Sequence, residues 1–123
     1  YPKAIYDAIH ILNDEFKIGI PIYITENGTS NCNEAVVDGK VHDQQRIEYV
    51  RSFLEWIKKA IDEGADIRGY YLWSFLDNWE WSAGYTSRFG LTHVDYETQQ
   101  RIFKDSAYFY QEVIRQNKLP ETL

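Results

Sequence analysis

Two stretches of this chain carry residue types that can do chemistry. In Ile22-Tyr-Ile-Thr-Glu-Asn-Gly28 an apolar run ends on a carboxylate, Glu26, and then on a turn signal. Roughly fifty residues on, Trp73-Ser-Phe-Leu-Asp-Asn-Trp-Glu-Trp81 combines three indoles with two acids. That combination suits a sugar. The apolar C–H face of a pyranose stacks on an indole, its hydroxyls donate to a carboxylate, and an indole N–H donates to a sugar oxygen. Plain alternatives stand beside both stretches. An acid at a strand end is also an ordinary polar terminator. Aromatics there also serve as core cover, with Glu80 merely solvated.

Other polar residues have weaker claims. Asp77 and Asn78 read as loop formers, bonding the backbone of their own loop. Arg88, beside Phe89-Gly90, reads as closing that loop on a nearby carboxylate. His93 reads as a satisfied core or surface histidine. Cys32 sits in a polar loop as an exposed thiol without an activating partner. Asn27-Gly28-Thr29 fits a glycosylation acceptor, but a buried strand end is a poor place for a glycan.

The elements that must position these residues alternate. Residues about 2 to 17 place Ile5, Ala8, Ile9, Leu12 and Phe16 at helical spacing, with Pro2 in the first turn and Gly19 as the stop. A strand over 21–25 follows, leaving Glu26 just beyond it. Residues 27 to 42 form a long polar, turn-rich loop. Asp43 is placed to cap a helix whose apolar stripe runs Ile47, Val50, Phe53, Leu54, Ile57, Ile61 and stops at Gly64. A second strand over 67–73 is almost continuously apolar after Arg68, the pattern of a strand buried on both faces. Residues 91–94 and 101–103 flank a short hairpin. A last helix over 105–116 turns Ala107, Tyr110, Val113 and Ile114 inward. Helix, strand, helix, strand points to parallel strands joined by a right-handed crossover. In parallel α/β folds ligands bind at the carboxyl ends of the strands, so both clusters belong to one rim.

Composition bounds the rest. The 123 residues, 44% hydrophobic and 16% aromatic, suffice for a single unit with one modest core. The formal charge of −6 gives no basic footprint for nucleic acid or an anionic membrane. One cysteine makes no intrachain disulfide, and it and three scattered histidines imply no metal or other cofactor. No apolar run is long enough to span a membrane. Scarce cysteine leans towards the cytoplasm. The chain has no methionine and opens on Tyr1-Pro2 directly into a helical pattern, so it reads as a piece of a longer protein.

Several motifs together resemble a known family. Tyr23-Ile-Thr-Glu-Asn-Gly28, Arg68-Gly-Tyr-Tyr-Leu-Trp-Ser74, Leu76-Asp-Asn-Trp-Glu-Trp81, Gly84-Tyr85, Arg88-Phe-Gly90 and Val94-Asp95 are similar to glycoside hydrolase family 1, the β-glucosidases and their relatives. The similarity runs in order over nearly the whole chain. Ile20 and Phe103 depart from it, standing where proline is common in the family; neither touches the chemistry. The resemblance implies a (β/α)8 barrel that hydrolyses β-glycosides with retention, and places this chain as its C-terminal portion: strands seven and eight with their helices, the short hairpin and the last helix. It implies that Glu26 is the nucleophile, Trp73 the platform under the sugar, Glu80 a grip on sugar hydroxyls, Trp81 an indole donor to a ring hydroxyl, and Phe89 a pocket wall near the hydroxymethyl group. Retention needs a second carboxyl roughly 5–5.5 Å away as acid and base. In the family this lies in an Asn-Glu-Pro motif, which is absent from this chain. Members acting on 6-phosphorylated sugars carry serine at the position of Glu80, so Glu80 favours non-phosphorylated substrates, and Phe89 rather than tyrosine agrees.

The expected ligand is therefore a β-glucoside or related oligosaccharide, and the expected partner is the remainder of the barrel. Alone, this chain lacks the acid/base and is expected to be inactive. Its open strand edges should make it self-associate, which size-exclusion chromatography reads directly. Two other classes remain at this point. A sugar-binding piece without catalysis would bind glucose and not turn over. A purely structural piece would keep its fold and bind no sugar.

Overall fold

The computed structural model describes residues 1–31 and 34–120. Cys32, expected to be an exposed thiol, lies outside the described residues. The order is α1 (Lys3–His10), β1 (Ile22–Asn27), α2 (Gln44–Asp62), β2 (Ile67–Leu72), β3 (Thr92–Val94), β4 (Arg101–Phe103) and α3 (Asp105–Gln116). β1 and β2 pair in parallel across α2, and β3 and β4 form the antiparallel hairpin.

The apolar stripe of α2 packs as its spacing requires except at its last member, Ile61, which is exposed where the helix runs out past the core. Ile47 and Val50 close against Phe109 of α3, with Leu54, Leu72 and Val113 packed around them. Phe109 is fully buried, which contributes about 1.5–3 kcal/mol relative to exposure. α3 keeps Tyr110 and Val113 against the core as expected, but its buried face centres on other residues. Phe109 and Ser106 point in, while Ile114 is 65% exposed. The helix packs on α2 through its middle turn, which leaves Ile114 on the flank. β2 is not buried on both faces either, since Tyr71 stands out from it, as Tyr23 does from β1.

The first helix is shorter than its pattern. After His10 the chain widens into a π-helical turn, Ile11–Glu15, closed by Phe16 N–H to the Ile11 carbonyl at 3.1 Å. It leaves the helical path at Lys17, two residues before Gly19, and Leu12 and Phe16 are exposed rather than buried. At this end of α1, His10 bridges two carboxylates, Asp14 at 3.0 Å and Glu63, the C-cap of α2, at 3.1 Å, and Tyr6 donates to Glu63 at 2.7 Å. The Asp14 carboxylate above all, helped by Glu63 against partial desolvation, raises the His10 pKa above its ordinary value. A raised pKa stabilises the fold below the unfolded value of about 6.5, and that stability is lost as pH rises through the higher folded value. His93, whose pKa is lowered instead, drives the profile the opposite way, so the His10 contribution is read by difference: the urea midpoint of the parent chain relative to His10→Gln should fall from pH 6 to pH 8. An unchanged slope in the variant would refute the assignment.

Candidate active site

Glu26 is inside β1 rather than beyond it, because the parallel ladder continues to the Asn27–Leu72 pair. Alternation holds from Ile22 to Thr25 and breaks at an irregularity between Ile24 and Asn27, which leaves Thr25 and Glu26 both exposed. Asn27 faces the helices, where its side-chain oxygen accepts from Tyr70 Oη at 2.8 Å and its amide reaches Tyr49 Oη at 3.4 Å. Burial pushes both tyrosine hydroxyls up, so they remain protonated partners. Glu26, the next residue back, is exposed. The engagement of Asn27 also argues against its use as a glycan acceptor.

The two strand ends are joined by backbone. Trp73 N–H donates to the Asn27 carbonyl at 2.9 Å, which sets Trp73 beside the segment that carries Glu26. Ser74 N–H donates to the Phe89 carbonyl at 3.1 Å, and Asn31 N–H to the Arg88 carbonyl at 3.2 Å. The ends of the 73–90 loop and the loop after Glu26 are thus stitched together, with Phe89 at the seam. The peptide between Trp73 and Ser74 is cis. Glu80 and Trp81 lie further along the loop, where Glu80 and Gly84 form a β-bridge and Trp81 begins a short 3-10 turn. Trp81 is 81% exposed. Trp79 packs edge-on against Tyr85, at 5.6 Å between ring centroids.

The loop formers behave as expected, and Asp77 does more. Asn78 donates to Ser74 Oγ and to the Leu76 carbonyl, both at 2.9 Å. Asp77 is buried and accepts from Arg88 at 2.7 Å, Gly90 N–H at 2.9 Å and Lys104 at 2.9 Å. Burial alone would raise its pKa, but the Lys104 ammonium, the Arg88 guanidinium and the Gly90 amide together hold it below the usual carboxylate range. His93 is buried beside this group, and burial followed by the Arg88 charge lowers its pKa.

A second carboxylate was hidden from the sequence. Glu34, in the polar loop, pairs with Arg46 at 2.5 Å and with Lys104. Asp43 sits at the N-cap position of α2, but its side chain accepts no capping hydrogen bond from that helix's backbone. Its carboxylate pairs with Arg46 and accepts from Ser106 N–H at 2.8 Å, so it caps α3 instead. Glu34, Asp77 and His93 lie close enough to suggest a metal site. The space between them already holds Lys104, and Arg88 contacts both Asp77 and His93, so cations of the protein itself balance these acids.

Fold and site together define an α/β unit with sugar-suited chemistry at the carboxyl ends of parallel strands. The model of glycosyl hydrolase family 1 matches residues 1–119, and the chain belongs to that family. It is 45% identical over 120 residues to the 1,4-beta-D-glucan glucohydrolase of Thermotoga neapolitana, covering 98% of this chain and 27% of that protein. It is also 45% identical over 113 residues to a 6-phospho-beta-galactosidase of Leptotrichia buccalis, covering 92% of this chain and 24% of the relative. A family 1 β-glucosidase from Thermotoga maritima, solved with isofagomine lactam, superposes with a TM-score of 0.93 at 44% identity over 98% of this chain and 27% of that one. The chain spans about a quarter of the length of these proteins. None of the described helices is long and apolar enough to cross a membrane.

Proposed function

We propose that this chain is the C-terminal portion of a retaining β-glycosidase, a β-glucosidase acting on non-phosphorylated β-D-glucosides. It contributes strands seven and eight of a (β/α)8 barrel, with residues 1–123 as one unit. Glu26 attacks the anomeric carbon while a carboxylic acid from the remainder of the barrel protonates the departing oxygen. The glycosyl-enzyme on Glu26 is then hydrolysed by water activated by that same group. Trp73 stacks under the sugar, Glu80 and Trp81 hold its hydroxyls, and Phe89 walls the hydroxymethyl side. The observation that carries this reading is the Trp73 N–H to Asn27 carbonyl bond, which joins the strand end bearing Glu26 to the sugar platform.

A phosphorylated sugar is the specific alternative, because one relative of equal identity is named for it. Glu80 speaks against it, since a carboxylate on the sugar hydroxyls would repel a phosphate dianion. The remainder of the barrel is the proposed partner of the face marked by Tyr23 and Tyr71, both more than half exposed and meeting over Gly69. Copies of the isolated chain would cover that face in its absence.

The test uses the full-length protein and a 2-deoxy-2-fluoro β-glucoside. Its fluorine slows hydrolysis of the intermediate, so peptide mass mapping should find the sugar on Glu26. A label on another residue, or none on an active enzyme, would reject the assignment.

A further inference from the structure

We propose that Lys104 is a positioning residue of the glycosidase reaction, fixing the loop that follows Glu26 against the loop that carries Trp73, Glu80, Trp81 and Phe89. The proposal rests on the function proposed above. Lys104 enters helix α3 at its N-cap position and is completely buried, side chain included. Its ammonium pairs with Glu34 on one side and lies 2.9 Å from Asp77 Oδ1 on the other. Those two acids belong to different loops. Glu34 lies in the loop after Glu26, and Asp77 lies in the loop after Trp73. Lys104 acts through these two loops and is not a catalytic residue.

The rest of the cluster makes this link stiff rather than incidental. Asp77 is anchored within its own loop by Arg88 and by Gly90 N–H. Glu34 is anchored by Arg46, which also donates to the Arg88 carbonyl at 2.7 Å and to the Thr29 carbonyl at 3.4 Å. Arg46 therefore spans the same two loops from the side of α2. Three acids, Glu34, Asp43 and Asp77, face three permanent or buried cations, Arg46, Arg88 and Lys104. Losing one cation leaves a buried carboxylate underpaired, and the loop bearing it has to move to find water. Small displacements matter at this place, because misplacing a reacting group by about 1 Å can cost on the order of 10²-fold in rate.

A positioning role differs from simple structural support in what it does to substrate discrimination. The 73–90 loop is the part that grips hydroxyls and the hydroxymethyl group. Its displacement should hurt a glucoside more than a xyloside, which lacks the hydroxymethyl group. Lys104→Met in the full-length protein is therefore measured on p-nitrophenyl β-glucoside and β-xyloside, with active sites counted by stoichiometric fluoroglucoside labelling. Per active site, kcat/KM for the glucoside should fall by on the order of 10²-fold, and about tenfold less for the xyloside. Much of the difference should appear in KM. Glu34→Gln, which keeps the shape and weakens the same link, should shift the ratio in the same direction and serves where Lys104→Met does not fold. Equal losses on both substrates, or a loss explained by fewer active sites, would overturn the proposal alone. A parent protein that neither hydrolyses the glucoside nor takes the label overturns the glycosidase reading, and this proposal with it.

Discussion

Glu26→Ala in the full-length protein is expected to reduce turnover of an aryl β-glucoside by on the order of 10⁴-fold, with the fold intact. The reasoning is chemical. In the proposed mechanism no glycosyl-enzyme forms without the carboxylate, and the two easier steps collapse into one unassisted displacement. Glu26 takes no part in the core that α2 and α3 build, so its removal opens no cavity there, and the effect on the stability of this part of the fold should be small. Sodium azide makes the test sharper. A small anion can occupy the space vacated by the carboxylate and attack from the same face of the sugar. The product should then be the α-glycosyl azide, opposite in configuration to the β-substrate. Turnover unaffected by the substitution would remove Glu26 from the mechanism, and a β-configured azide would place the nucleophile on the other face.

How far such a site can be read in advance depends on how local its causes are. The stripe of α2 and the limits of α3 follow from spacing within each helix, and both were legible. That Glu26 and Trp73 stand at the ends of neighbouring strands was legible because an apolar run leads into each. The face of α3 was not, because Phe109 and Ile114 compete for the core and only the position of α2 decides between them. Asp43 shows the same limit. Its place before a helix promises a cap, but the partner that wins its carboxylate is Ser106, distant in sequence and adjacent in space. Glu34 and Lys104 gave no signal at all. A charged residue in a polar loop, or between two elements, reads as solvated until its counter-ions are seen. The unusual burial of a lysine is visible only once four segments of chain have met around it.

Gly28→Ala tests the other half of the site, the join between the two strand ends. A Cβ on Gly28 would stand 1.9 Å from the Trp73 carbonyl oxygen and 2.9 Å from its carbon. Both atoms are backbone, so no side chain can swing aside. Trp73 is itself held by its N–H to the Asn27 carbonyl, and Ser74 is bonded to Phe89 and Leu91, so the platform cannot retreat without breaking these bonds. The strand ends must therefore spread, moving Glu26 away from Trp73. Overpacking of this kind typically costs about 1–3 kcal/mol, and here it falls on backbone rather than on an adaptable side chain. A spread of about 1 Å is enough to lower kcat/KM by on the order of 10²-fold. Gly39→Ala is the control. It sits at φ +73° in the tight turn between Val37 and Lys40 with open space around it, so the substitution strains the backbone but has nothing to push against. Gly39→Ala should cost roughly 1–2 kcal/mol and leave the kinetics of the folded enzyme unchanged. Urea unfolding together with glucoside kinetics separates the two variants. If Gly28→Ala matches Gly39→Ala in kcat/KM, the contact between the strand ends does not set a distance between Glu26 and Trp73 that matters to turnover.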